Sequence, residues 1–308
     1  MHFLITGGAG FIGSHLTEKL LEEGYQVTVI DNLVTGKLIN LPQHPNLTFI
    51  NKNILNCQPS DFTQPIDGIA HLAATPSVTE SWLSPLDVHN NNLSATVAVI
   101  ELVKKLQIPR LVFTSSAAVY GNPVNLPITE NHPTKPISPY GLQKLVSEQY
   151  VNLFAPEYQF SAVNLRLFNV FGPRQLPDSP YSGVISIFLK LMQENKSITI
   201  YGDGSQTRDF VYVKDVARAF ALALTTPLIQ GQAVTCNIGT GNKISLLQLV
   251  DSLKNSFPVW PGEILFAEER LGDIKDSQAN ISQAISSLNY SIQYPFIESI
   301  ANFARAVQ

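Results

Sequence analysis

The chain has 308 residues, enough to bury one large core with a smaller appended lobe. Apolar residues make up 44% and charged residues only 14%, which excludes a disordered or coiled-coil chain. The net charge is −4 and no Lys/Arg run exceeds two residues, so the footprint of a nucleic-acid partner is missing and a bound phosphate must be held by a few placed donors.

Cys57 and Cys236 are the only cysteines, far apart and in no CxxC setting. That spacing argues against a disulfide framework or a thiolate metal site and points to a reducing cytosol. The first residues lack a basic n-region, and no stretch approaches the ~20 apolar residues of a membrane helix. The expectation is a soluble, cytoplasmic protein with no membrane partner and no metal.

In chain order, short β-rich runs at 3–6, 25–30, 47–50, 68–72, 111–114 and 161–167 alternate with helical patterns. Nearly continuous apolar strands in such an alternation predict a parallel sheet covered by helices on both faces, an α/β doubly wound fold. After Gly172 the texture turns to Pro/Gly-rich loops, followed by helical patterns at 184–194, 213–225 and 246–256. Residues 171–308 are therefore assigned mainly to a smaller C-terminal lobe and 1–170 to the main domain. A run at 234–238 reads as a strand returning to the main sheet within a segment near 210–245.

The first strand runs directly into Gly7-Gly8-Ala9-Gly10-Phe11-Ile12-Gly13 and then into an amphipathic helical pattern at 14–22. Glycines on a strand-to-helix turn permit positive φ and close backbone approach, while the helix start offers unpaired N–H groups to a pyrophosphate. A dinucleotide is the natural ligand, held at Gly7, Gly10, Phe11, Ile12 and Gly13. Asp31 ends the second strand, where a carboxylate can accept from both hydroxyls of an adenosine ribose, with Asn32 beside it. A 2′-phosphate would be repelled there and the nearest basic residue is Lys37, so NAD is favoured over its phosphorylated form.

Pro139-Tyr140-Gly141-Leu142-Gln143-Lys144 opens a helix with Ser138 as its cap, so Tyr140 and Lys144 share a face. A phenol with pKa near 10 needs about 4 kcal/mol of phenolate stabilisation to act near neutrality, which an ammonium one turn away and a cationic nicotinamide could supply. Taken alone, such a pair is an ordinary packed helix face. Thr114-Ser115-Ser116-Ala117-Ala118-Val119-Tyr120-Gly121 adds weight, because catalytic groups of open parallel sheets gather at the carboxyl ends of strands.

With these residues in view, the chain resembles an extended short-chain dehydrogenase/reductase of the NAD-dependent nucleotide-sugar epimerase/dehydratase family. The match rests on the glycine turn, Asp31-Asn32, His71-Leu72-Ala73-Ala74, the segment 115–121, Tyr140 with Lys144, the segment 166–174, and Tyr201-Gly202-Asp203-Gly204 through Arg208-Asp209-Phe210-Val211. The resemblance implies Ser116 and Tyr140 as catalytic hydroxyls, with Lys144 holding the nicotinamide ribose. It further implies cofactor contacts from Leu72, Ala73, Ala74, Ile54 and Asn53, where the family usually has an acidic residue instead of Asn53. Substrate contacts implied in the same way are Ser77, Ser116, Asn169, Thr199, Tyr201, Arg208, Arg270, Asp273 and Ser277. His71 is expected to pack and bond locally in its strand. A homodimer through helices near 92–107 and 140–154 is implied by the resemblance alone.

Dehydratases of this family carry an acidic residue where this chain has Ala117, and the branch using a Cys/His pair is disfavoured because both cysteines lie outside the motifs. A 4-epimerase needs only one base and a recycled cofactor. In similar 4-epimerases the position occupied here by Ser277 controls room near the sugar's 2-substituent. A small residue favours the N-acetylated pair UDP-GlcNAc/UDP-GalNAc, with UDP-glucose/UDP-galactose also open. The bland alternative makes Ser277 a helix cap ahead of 279–288. Epimerisation of a UDP-uronic acid, an NAD(P)-dependent reductase or dehydratase, and a catalytically silent NAD sensor remain as competing functions.

Overall fold

The computed structural model describes residues 1–176, 183–269 and 274–307. Seven strands form one parallel sheet: β1 (His2–Thr6), β2 (Gln26–Asp31), β3 (Leu47–Asn51), β4 (Gly68–His71), β5 (Arg110–Ser116), β6 (Ser161–Leu167) and, later in the chain, a seventh that returns to the sheet. The intervening short strands of the lobe are β7 (Asn169–Phe171), β8 (Ile198–Tyr201), β9 (Thr207–Arg208) and β10 (Phe210–Tyr212); the returning strand is β11 (Ala233–Ile238). Strand order is β11-β6-β5-β4-β1-β2-β3, with every pairing parallel. The order reverses between β1 and β4, so a crevice opens at the carboxyl ends of those two strands, where doubly wound sheets bind their ligands. This is a Rossmann-type sheet.

The strands form where the sequence runs apolar because both faces are covered. Phe3, Leu4 and Ile5 of β1 and Ala162, Val163 and Leu165 of β6 are fully buried. One face packs against α1 (Phe11–Glu22), through Leu16 and Leu20. After β4 come α2 (Val78–Leu83) and α3 (Pro85–His89), which lie against α5, while α4 (Ala95–Leu106) and α5 (Pro139–Tyr158) cover the other face. A π-helical turn at Asn90–Ser94 joins α3 to α4. Val99, Ile100 and Val103 of α4 and Val151 and Ala155 of α5 fill that second face.

The lobe is built by α6 (Val184–Gln193), whose Phe188, Leu189 and Met192 meet Ile198 and Ile200 of β8. The first face of the sheet is completed by α7 (Val213–Thr225), through Phe220 and Leu224. Beyond β11 come β12 (Ile244–Ser245), which pairs antiparallel with β9, and α8 (Leu246–Lys254), opened by a capping box of Ser245 and Gln248. Then β13 (Ile264–Ala267) pairs with β8, α9 (Ser282–Leu288) returns to the main core, and α10 (Phe296–Val307) closes the lobe with Ile300 and Phe303. Among the described residues no helix is long and apolar enough to cross a membrane.

Two departures from the sequence expectation bear on the site. The expected strand at 111–114 continues through Ser115 and Ser116, because β6 beside it offers an unbroken ladder in which Ser115 faces Arg166 and Ser116 faces Leu167. The short paired strands of the lobe carry little sequence signal of their own, since two to four residues are too few to establish a period.

Candidate active site

The glycine turn is shaped by contacts that only glycine allows. Gly7 adopts φ +71°, and a Cβ there would lie 2.7 Å from the amide nitrogen of Ala73. At Gly13 a Cβ would sit 2.2 Å from the Gly7 carbonyl oxygen, so the first turn of α1 rests directly on the loop. No side chain caps α1 at Gly10, and the amides of Phe11 and Ile12 meet no protein acceptor among the described residues. Open donors at a helix start are what a pyrophosphate requires.

Asp31 stands at the end of β2, 8% exposed, and accepts from the amides of Ala9 (3.0 Å) and Leu33 (2.8 Å). These bonds hold the carboxylate beside the glycine turn. Asn32 is exposed and accepts from Val34 N–H at 3.3 Å. Across the crevice, Thr6 Oγ1 accepts from the amides of Leu72 and Ala73, both at 3.2 Å, and fixes the strand-end loop that carries Leu72, Ala73 and Ala74. Asn53 caps the 3-10 turn at Ile54–Asn56 through Leu55 N–H, and Ile54 is buried. The cradle therefore fits a dinucleotide: a closely approached backbone, open amides and a carboxylate on one rim.

The second half of the site lies at the end of β5. Ser138 caps α5 by accepting from Gly141 N–H at 3.1 Å, and Pro139 occupies its first turn. Tyr140 and Lys144 follow on one buried face, 9% and 4% exposed. The Tyr140 phenol lies near the side chain of Ser116, the last residue of β5. Burial pushes the phenol above its usual pKa and the Ser116 contact opposes that rise. Lys144 donates to the Thr114 carbonyl at 2.8 Å, and its nitrogen is 6.0 Å from the Tyr140 ring centre. Burial lowers Lys144 to about 8, against the pull of Glu148. The ammonium is thus engaged by a backbone carbonyl on the buried face that also carries Tyr140.

Several residues outside the expected set shape this geometry. Ser81 on α2 is fully buried and accepts from the Tyr140 amide at 3.1 Å, pinning the start of α5. Asn92, in the π-helical turn, accepts from Thr75 N–H at 2.8 Å and donates to Gln143 at 3.0 Å, bridging the loop after β4 to the residue before Lys144. Glu148 is 2% exposed, bound by Arg166 at 2.7 and 2.9 Å and by Ser115. Its place two helical turns after Tyr140 was a sequence signal; its partners were not. His71 bonds locally, to Thr6 at 2.7 Å and Thr96 at 3.3 Å, and burial pushes it down to about 3. The two thiols are pushed up by burial, Cys57 to about 11 and Cys236 to about 12, which leaves neither ionised at neutral pH.

The other expected substrate residues lie in several parts of the fold. Ser77 is buried, caps α2 through Glu80 N–H at 3.0 Å, and accepts from the Ser81 amide at 3.2 Å through its carbonyl. Asn169 on β7, Thr199 and Tyr201 on β8, and Arg208 on β9 are carried by the paired strands of the lobe. Arg208 donates to the carbonyls of Thr207 (2.8 Å) and Lys275 (3.3 Å), and its neighbour Asp209 knots the lobe by accepting from Thr240, Gly241 and Ala279. Arg270 and Asp273 lie outside the described residues. Ser277 is buried, its amide donating to Thr207 O at 3.1 Å while Asp276 accepts from Thr207 Oγ1 at 2.6 Å. It is no helix cap: α9 starts at Ser282 with Ile281 at the cap position, and Asn280 accepts from the Ser282 amide.

Comparison with known proteins decides the family. The family model for the NAD dependent epimerase/dehydratase family matches residues 3–239. The chain belongs to that family. A Methanocaldococcus jannaschii protein, described provisionally as a UDP-glucose 4-epimerase, is 41% identical over 92% of this chain and 91% of its own. Among solved structures, a UDP-N-acetylglucosamine 4-epimerase from Methanobrevibacter ruminantium, in complex with UDP-N-acetylmuramic acid, superposes with a TM-score of 0.93 at 35% identity, covering 99% of this chain and 97% of that one. A UDP-glucose 4-epimerase from Thermotoga maritima, with UDP-glucose, gives 0.91 at 34% identity over 100% and 98%.

Proposed function

We propose that this family member is an NAD-dependent 4-epimerase of UDP-sugars, acting on UDP-GlcNAc/UDP-GalNAc and also on UDP-glucose/UDP-galactose. The observation that carries it is the buried Tyr140 phenol close to Ser116 at the carboxyl end of the sheet, with Ala117 instead of an acid beside them. A hydroxyl pair with no further acid or base suits alcohol oxidation and re-reduction better than elimination of water. The solved relatives, one named for UDP-GlcNAc and one for UDP-glucose, support the same reaction class.

In this proposal Tyr140 takes the proton of the sugar 4-hydroxyl while Ser116 donates a hydrogen bond to the same oxygen. When bound, NAD⁺ would take the hydride that leaves the sugar C4 and give it back to the opposite face of the same carbon, so that no net oxidation results. The 4-keto sugar turns about its phosphate linkage, and Tyr140 returns the proton to the oxygen on the new face. Lys144, held by Thr114, orients the nicotinamide ribose. Asn169, Thr199, Tyr201, Arg208, Arg270 and Asp273 hold the nucleotide so that only the sugar turns, and Ser277 leaves room for an N-acetyl group.

The test incubates purified protein with UDP-glucose and with UDP-GlcNAc separately, with and without added NAD⁺, and resolves epimers by chromatography. Expected is a mixture of C4 epimers with constant NADH absorbance; stoichiometric appearance or loss of NADH would show a dehydrogenase or reductase instead. Tyr140→Phe should lower kcat about a thousandfold. Full activity in that variant would remove the phenol from the chemistry.

A further inference from the structure

Tyr140, Lys144 and Glu148 repeat at single-turn spacing along the buried face of α5. The first two belong to the site proposed above; the third touches neither cofactor cradle nor crevice. Glu148 is instead held by the two strands under the helix. Its Oε1 accepts from Arg166 Nε at 2.9 Å and from Ser115 Oγ, and its Oε2 accepts from Arg166 Nη2 at 2.7 Å. Ser115 and Arg166 are register partners on β5 and β6, so one rung of the sheet grips one carboxylate from both sides. The next residue on β5 is Ser116.

The grip is itself anchored. Arg166 Nη1 donates to Tyr120 Oη at 2.9 Å and to the Glu130 carbonyl at 3.1 Å, and Tyr120 donates to Asn237 of β11 at 2.6 Å. Both N–H groups of Nη1 are thus bound on the side away from the helix. A bidentate pair of this kind is directional as well as strong, so it sets both the axial position and the rotation of α5.

We propose that Glu148 is a positioning residue for the Tyr140–Lys144 pair: it locks α5 to the strand that carries Ser116 and supplies the anion that balances the Lys144 ammonium. This inference rests on the catalytic reading of Tyr140, Ser116 and Lys144 above. Lys144 faces few other charges. On its own helix stand the Tyr140 phenol and Glu148; from β4 comes His71, which burial keeps neutral; from β5 come the Thr114 carbonyl and the Phe113 ring at 5.0 Å; from β6 comes Arg166, whose charge is turned to Glu148. Among the described residues Glu148 is the anion that favours the charged amine, against burial that pulls it down to about 8.

The experiment compares wild type, Glu148→Gln, Glu148→Gln/Arg166→Gln, Ser115→Ala and Tyr140→Phe in the NAD-loaded enzyme, reading kcat and KM for the UDP-sugar across pH. Glu148→Gln alone strands the Arg166 cation, so the paired variant, which strands no charge, decides the matter. Expected in it is a kcat about tenfold lower at neutral pH with KM changed less than about twofold. The alkaline limb of kcat should move down by about one pH unit. Ser115→Ala, which removes a hydrogen bond and no charge, should lower kcat by about threefold and leave the limb in place. An unmoved alkaline limb in the paired variant, or a loss of activity that only follows thermal stability, overturns the role of Glu148. If Tyr140→Phe stays active, the catalytic reading itself falls; if it is inactive and the limb is unmoved, only the role of Glu148 falls.

Discussion

Ser277 shows what one side chain can decide. It is buried and bonded through its amide to Thr207, and the segment around it is tied again by Ile128, whose amide donates to the Gln278 carbonyl and whose carbonyl accepts from the Asn280 amide. A side chain there cannot be accommodated by moving the backbone, so added volume must go into the space beside it. Ser277→Tyr is expected to lower kcat/KM for UDP-GlcNAc by about a hundredfold while leaving UDP-glucose within about threefold. Equal loss on both sugars would show that the substitution damages the site generally. That Ser277 is small was legible in the sequence. That it caps no helix was not, because Asn280 is as ordinary a capping residue as Ser277 and only the folded chain fixes where α9 starts.

At the scale of elements, the glycine turn and α1 behave as one unit. Gly13 lies where a Cβ would meet the Gly7 carbonyl at 2.2 Å and Gly8 Cα at 2.8 Å, both backbone atoms that cannot swing aside. Gly13→Ala should therefore displace the open end of α1 from the loop and weaken NAD binding by about tenfold or more, measured by fluorescence titration, while the circular dichroism of the sheet and helices persists. Unchanged affinity would mean that those amides do not hold the pyrophosphate. This unit could be read from sequence because its requirements are local: glycines at fixed spacing between an apolar strand and an amphipathic helix. The clamp of Glu148 by Ser115 and Arg166 could not, since it joins residues of one helix and two strands whose register only the folded sheet defines.

At the scale of the whole molecule, stability should carry the mark of His71. Folded, this buried imidazole has its pKa pushed from 6.5 down to about 3 by burial and, secondarily, by Lys144. The unfolded chain takes up a proton below 6.5 that the folded chain refuses, so His71 favours the unfolded state increasingly as pH falls below that value. At pH 5 the difference is about 2 kcal/mol, and it depends little on the folded value because that lies well below 5. Urea unfolding at pH 7 and pH 5 should show wild type losing about 2 kcal/mol more than His71→Gln, whose amide can still bond Thr6 and Thr96. Parallel losses in the two proteins would mean that other groups govern the acid limb.

Sequence alone determined the class of the fold, the glycine turn, Asp31 at the end of β2, and the helix that pairs Tyr140 with Lys144. Each of these is written in local spacing, and local spacing survives without neighbours. Tertiary structure decided what those residues face. It placed Ser116 in the ladder of β5 and not in a loop beyond it, engaged Lys144 with the Thr114 carbonyl, and buried the Tyr140 phenol so that its pKa is pushed up. The physical reason is that burial and backbone partners set the charge of an ionisable group. Both come from segments far apart in the chain, brought together only when the sheet closes.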